Sequence, residues 1–484
     1  MTEPCDLTAV EARRLIGRKM LSPVELMRSC ISRIDKVNGS VNAVVAMDAD
    51  AAMAEARKAE AAVMAGAPLG ALAGLPIGIK DLDNTAGLRS TQGSLLYKDF
   101  VPRADDAMVA NVRRAGGIVL CKTNTPEFGA GANTVNRVYG ATGNPFNTEL
   151  SAAGSSGGSA AALATGMVPL ATGSDMGGSL RTPAGFCGVV GFRPSPGLVP
   201  DPSSSVALSP FAVLGPMGRT VDDAHLLLMA QLDIDRRDAY SSADADDIPC
   251  ALQGADLSRV RAVFSADLGV APVDNSIRQI FAAKTGRFAH VFASATARDP
   301  DMAGVHQAFE VLRGVTFVAA FRDLVANKRD MLGPNVIDNT ERALQWSLPD
   351  VSEAQKVQTA IYRNFLGFFR ETDILICPAA AVSPFPHRER SVTHINGEEM
   401  PTYMRWLAIA YGLTMALPAV CCIPCGRDHL GMPFGIQIVG PRGSDAKVLA
   451  IAKSIAEVLA TDVETAQPRP DLGRLCVPAA NTGI

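Results

Sequence analysis

Histidine is scarce in this chain. Its 484 residues include six (His225, His290, His306, His387, His394 and His429). None lies in a Gly-rich or otherwise distinctive setting. A serine nucleophile usually draws its base from histidine, so this scarcity weakens a Ser-His-Asp triad. It does not exclude one, because triad members need not be close in sequence. Metal-ligand spacing is also missing. There is no H-E-x-x-H, and one isolated C-x-x-C, Cys422 to Cys425, has no second pair to complete a zinc site. No G-x-x-x-x-G-K-[ST] is present, which excludes a Walker-type phosphate cradle. With a net charge of −4 and no polybasic run, the chain lacks the electrostatic footprint of a nucleic-acid partner.

The first residues carry Glu3, Asp6 and Glu11 and no apolar h-region follows, so a signal peptide is not expected. Ten cysteines in a chain of this length do not make a disulfide framework. Reduced thiols and a cytoplasmic location are therefore expected. The uncharged run Trp406–Gly426 is long enough to span a bilayer, but Gly412, Pro418 and Pro424 punctuate it. A buried helix followed by a buried strand is the better reading, with Cys421, Cys422 and Cys425 as small apolar residues in that strand. No membrane association is expected.

The most informative stretch is Gly154–Arg181, GSSGGSAAALATGMVPLATGSDMGGSLR. It places small hydroxyl residues in two Gly-rich turns joined by an apolar run. Glycine lets a backbone approach a ligand closely, and serine supplies a nucleophile or a hydrogen-bond partner. The two turns read as two halves of one active site that still needs a base. Gly154-Ser155-Ser156-Gly157-Gly158 formally matches the G-x-S-x-G nucleophile elbow, with Ser156 as nucleophile. That elbow must follow a strand directly, whereas Asn144–Ala153 reads as turn-like.

Helix and strand signals alternate along the chain. Helices are expected over 9–16 after an N-cap at Thr8, from Ser22-Pro23, over 48–65, 104–113, 156–165, after Thr220, over 273–287 and over 445–459. Strands are expected at 76–79, 117–121, 167–172, 188–192, 259–264, 373–378 and 431–440, and residues 235–247 as an exposed polar connection. This alternation argues for an α/β fold. Residues 301–370 read as a mainly helical elaboration.

Lys80 ends the apolar run Pro76–Ile79. On local pattern alone, a lysine that snorkels to solvent is the leading reading, with Asp81 and Asp83 as surface charge. A buried Lys80, neutral near pH 7, would instead supply the missing base.

Three segments taken together carry a resemblance. They are Gly74-Leu-Pro-Ile-Gly-Ile-Lys80-Asp81, Gly154-Ser155-Ser156-Gly157-Gly158-Ser159 and Gly173-Ser174-Asp175-Met176-Gly177-Gly178-Ser179-Leu180-Arg181-Thr-Pro183. With Phe186-Cys-Gly188, Gly215-Pro216-Met217, Asp373–Pro378 and Gly431–Gly440, they make the chain similar to the amidase signature family from about Leu7 to Leu459.

The resemblance implies a single amidase domain over 1–484, with N-terminal helices in 1–69, a signature core in 70–230 and the helical elaboration in 301–370. Its fold would be a mixed central β-sheet sandwiched by helices. Ser179 would be the nucleophile, Ser155 the bridging serine in a cis peptide, and Lys80 the base. Backbone N–H groups of Met176, Gly177, Gly178 and Ser179 would form the oxyanion hole. Asp175 and Arg181 would fix the turn, and Ser156 would bond nearby backbone. No metal and no organic cofactor are implied.

The expected substrate is a small to medium, fairly apolar amide, with carbamate, hydrazide and ester bonds within reach. Its walls are expected from 125–135 and 301–370. By analogy with the family, the chain is expected to form a homodimer. The alternative is the glutaminase subunit of a tRNA-dependent amidotransferase. Against it, residues 331–372 resemble free-standing amidases, and Tyr411 stands where many family members carry Asn.

Overall fold

Helix signals in the opening residues are satisfied one by one. Thr8 Oγ1 accepts from the Glu11 amide at 3.1 Å and starts α1 (Ala9–Gly17). Ser22 and Glu25 form a reciprocal capping box at the start of α2 (Pro23–Val41), with proline at the tolerated first position. Asp48 caps α3 (Ala49–Met64). Between α2 and α3 lies a strand without a sequence signal, β1 (Val44–Met47). The computed structural model describes residues 3–241 and 248–476. Residues 242–247 of the expected polar connection lie outside the described residues.

One eleven-stranded mixed sheet runs through the molecule. Its strands in chain order are β1, β2 (Pro76–Lys80), β3 (Ile118–Thr123), β4 (Leu170–Asp175), β5 (Val190–Arg193), β6 (Val213–Gly218), β7 (Arg261–Phe264), β8 (Ser294–Ala297), β9 (Ile374–Pro378), β10 (Ala419–Arg427) and β11 (Pro433–Gly440). In space the order is β1-β3-β2-β4-β6-β5-β10-β11-β9-β7-β8. The strands β3, β2 and β4 are parallel to one another, as are β9, β7 and β8; the other pairs are antiparallel. Every residue of β2, β3, β5, β9 and β11 is buried. Near-continuous apolar runs with little alternation reflect a sheet covered on both faces.

The covering helices include α4 (Ala107–Arg114), α5 (Gly157–Ala164), α6 (Arg181–Cys187), α7 (Val221–Gln231) and α8 (Asn275–Phe288). Three longer helices fall between β8 and β9: α9 (Val305–Lys328), α10 (Pro334–Ala343) and α11 (Leu348–Phe368). This is the helical elaboration expected over 301–370. It carries a small apolar cluster of its own, in which Phe317 and Val336 meet Ala130. Trp406–Gly426 becomes a short buried helix, α12 (Ala408–Thr414), and then β10. Helix α13 (Asp445–Leu459) follows β11. Among the described residues no helix is long and apolar enough to cross a membrane. All ten cysteines are free.

Candidate active site

The parallel pairing of β2 with β4 brings two distant segments to one place. Ile77 lies opposite Leu170 and Gly78 opposite Ala171, so the carboxyl ends of both strands finish side by side. Ligands bind at such ends in open α/β sheets. Lys80 ends β2, and Ser174 and Asp175 end β4. The start of α5 closes the space with Ser155 and Ser156.

Lys80 is fully buried. Its amide donates to Thr172 Oγ1 at 3.0 Å. Its Nζ lies 2.7 Å from Ser155 Oγ, 2.9 Å from Ser156 Oγ and 2.9 Å from Ser174 Oγ. The snorkelling reading is thus wrong, because the strand carries the side chain inward among hydroxyls. Burial pushes the amine down to about 7, although Asp83 and Asp175 pull the other way. Three hydroxyls suit a neutral amine as well as an ammonium, because each can donate or accept.

The second turn is tied down by Asp175. Its carboxylate accepts from Arg181 Nε at 3.0 Å and Nη2 at 2.8 Å, and from the Leu180 amide at 3.0 Å. Burial alone would raise this carboxyl, but Arg181 and Arg193 hold it well below the usual carboxylate range. The Gly178 amide, expected among the oxyanion donors, instead donates to Asp175 Oδ1 at 3.0 Å. In this structure that N–H is used to shape the turn. Among the described residues the amides of Met176, Gly177 and Ser179 meet no acceptor. Gly178 itself has φ +115°, and a Cβ there would come within 2.6 Å of Ala410 Cβ, so the position requires glycine.

Ser155 and Ser179 both line one cavity of about 260 Å³. The Gly154–Ser155 peptide bond is cis. Ser156 does not stand as an elbow nucleophile: besides receiving the Lys80 amine, it lies 3.4 Å from both the amide and the carbonyl of Ser174. The residues before it are less turn-like than expected, because Asn147–Ser151 forms a strand in a separate two-stranded ribbon. The cavity wall includes Phe128, Gly129 and Gly131 from the expected 125–135 segment, and Arg313 and Phe317 from α9. It also takes Asp83, Asp106 and Asp201, which no sequence signal placed there. Asp83 is buried rather than a surface charge, and burial pushes its carboxyl up to about 7 against the opposing pull of Lys122.

Ser174 and Arg193 were also missed. Ser174 had a usable signal, because Thr172 and Ser174 alternate on one face of an otherwise apolar strand. Arg193 closes a buried strand; its Nη1 donates to the Asp175 carbonyl at 2.6 Å and to Asp175 Oδ1 at 3.1 Å. The expected strand stopped one residue short of it.

Known proteins share this arrangement of chain and fold. The Amidase family profile matches residues 25–449. An acylamidase of Rhodococcus erythropolis is 31% identical over 454 residues, covering 93% of this chain and 95% of that protein. A glutamyl-tRNA(Gln) amidotransferase subunit of Halothermothrix orenii is 30% identical over 498 residues, covering 96% of this chain and 99% of that protein. The crystal structure of a bacterial aryl acylamidase of the amidase signature family superposes with a TM-score of 0.84 at 28% identity, covering 93% of this chain and 96% of that one. The chain therefore belongs to the amidase signature family of amide-hydrolysing enzymes.

Proposed function

We propose that this protein is a serine hydrolase that cleaves the C–N bond of a small to medium amide through a Ser179–Ser155–Lys80 relay and an acyl-enzyme. The observation that carries this reading is the fully buried Lys80 amine, which among the described residues meets three serine hydroxyls and no carboxylate. An ammonium buried without an anion is costly, so the neutral form is favoured and can accept a proton.

In this mechanism Ser179 Oγ attacks the substrate carbonyl carbon while its proton passes to Ser155 Oγ, whose own proton moves to Lys80 Nζ. The amides of Met176, Gly177 and Ser179 receive the oxyanion that forms. The tetrahedral species collapses as Ser155 delivers a proton to the leaving nitrogen and is resupplied by Lys80; without that proton the amine is too basic to depart. Water then attacks the acyl-enzyme by the same route and releases the acid. The site engages the acyl carbonyl, so carbamate, hydrazide and ester bonds fall within its chemistry.

A panel of aryl amides, aliphatic amides, carbamates and glutamine, incubated with the purified protein, tests the proposal. Release of amine or ammonia that disappears in Ser179→Ala is the expected outcome. No turnover of any member, together with no labelling by a fluorophosphonate, would sink it.

A second reading rests on the near full-length similarity to the amidotransferase protein. There the same relay would release ammonia from glutamine within a complex. Hydrolysis confined to glutamine, with co-purification of a partner protein, would favour that reading.

A further inference from the structure

Among the described residues, the wall of the Ser155/Ser179 cavity contains one cation outside the proton relay. Arg313 projects from α9 and is 8% exposed. It lines the Ser155/Ser179 cavity and also an adjoining, larger one of about 690 Å³. Its guanidinium carbon sits 4.2 Å from the centre of the Phe317 ring. Nη2 donates to Tyr403 Oη at 2.6 Å, and Nη1 donates to Asn339 Oδ1. These acceptors are neutral, and the rest of the guanidinium fork meets no acceptor among the described residues.

The nearby acids do not compensate the charge. Glu310 pairs with Arg342 and Arg405, and Asp338 pairs with Arg390. No described carboxylate lies within 4.0 Å of Arg313. A guanidinium taken out of water without an anion is unfavourable, and it is relieved when a carboxylate docks on its fork.

We infer that Arg313 is a specificity-determining residue that binds a carboxylate on the substrate, so that the preferred substrate is an amide with an apolar body and one acidic group. The inference rests on the amidase reading of the same cavity and names its substrate class. Phe128, Phe317, Met404 and Leu407 supply apolar wall for the body. Asp83, Asp106 and Asp201 line the same cavity but do not pair with Arg313. In their ionised forms they repel an anion, so a carboxylate settles on Arg313 and the substrate enters in one orientation. The apolar residues set the shape, and the two signs of charge set the direction.

The test is binding to Ser179→Ala protein, followed by ligand-observed NMR. Succinamic, glutaramic and adipamic acids are compared with butanamide, pentanamide and hexanamide. N-acetylglycine and N-acetyl-β-alanine are compared with their neutral N-alkylacetamide counterparts. The expected result is a dissociation constant about 10- to 100-fold lower for at least one acid than for its neutral counterpart, as suits a charged hydrogen bond. Arg313→Met should abolish that preference, while Arg313→Lys, which keeps the charge, should retain part of it. No binding of either series, equal binding at every length, or a preference that survives Arg313→Met would overturn the inference. Fluorophosphonate labelling of the wild type is read separately. A carboxylate preference without labelling of Ser179 would keep the role of Arg313 and reject the serine-hydrolase reading.

Discussion

Lys80 ends β2 and Lys122 is the next-to-last residue of the neighbouring β3; both are fully buried, yet their surroundings differ. Lys80, on β2, meets the hydroxyls of Ser155, Ser156 and Ser174. Lys122, on β3, donates to the Asp83 carbonyl and to Thr85 Oγ1 at 2.9 Å, and lies 4.0 Å from Asp81. Asp81 in turn accepts from Thr91 Oγ1 at 2.6 Å and from the Thr91 amide. Burial lowers both amines. For Lys122, the acids Asp81, Asp83 and Asp106 oppose that loss of charge. For Lys80 the partners in contact accept either protonation state. The comparison teaches that burial alone does not make a base. What matters is whether the partners hold the proton in place or can pass it on.

Removing each lysine in turn is the strongest way to break this comparison. Lys80→Ala should lower kcat by about 10³- to 10⁴-fold, the scale of losing a unit that acts in the transition state. Urea denaturation should show no matching loss of stability. Lys122→Ala should do the reverse: leaving Asp81 buried without its cation costs about 3–5 kcal/mol, while kcat of the folded fraction should stay within about tenfold. Matching phenotypes would end the distinction.

The pH profile sharpens it. With Lys80 held at about 7, kcat/KM should fall close to tenfold per pH unit below that point and level off above it. A flat profile from acid to alkaline conditions would reject a neutral lysine base.

Stability carries the opposite face of the same shift. The folded amine sits at about 7 against an ordinary value of 10.5. Between these values the unfolded chain binds the extra proton, so this contribution to wild-type stability rises with pH by about 1.4 kcal/mol per unit. Lys80→Met should therefore gain most over wild type below pH 7, and its advantage should shrink toward pH 10. Paired urea melts at pH 6 and pH 9 check the sign. The smallest effect is expected from Asp83→Asn. Asp83 raises the Lys80 amine, so removing its charge should move the acid limb to lower pH by a fraction of a unit.

Much of the fold was legible, because helix starts are local. Thr8, Ser22-Pro23, Asp48 and Thr220 each begin a helix by bonding amides within three residues. β1 was not legible, because four residues at a sheet edge show no period of their own. At the site, the two serine turns were visible by composition, but the location of Lys80 was not. The same pentapeptide PIGIK fits a snorkelling lysine, and only the register of β2 against β4 turns it toward the serines. Asp83, Asp201 and Arg313 were out of reach for a related reason: a cavity wall assembled from separate segments has no sequence period. The bond from the Gly178 amide to Asp175 was not legible either, because in sequence a Gly-rich turn reads as a row of equivalent donors.

The most direct measurement is peptide mapping of the fluorophosphonate adduct. The account predicts one adduct on Ser179 in the wild type, none in Ser179→Ala, and labelling slowed by orders of magnitude in Lys80→Ala. An adduct on Ser155 or Ser156, or unchanged labelling of Ser179→Ala, would contradict it.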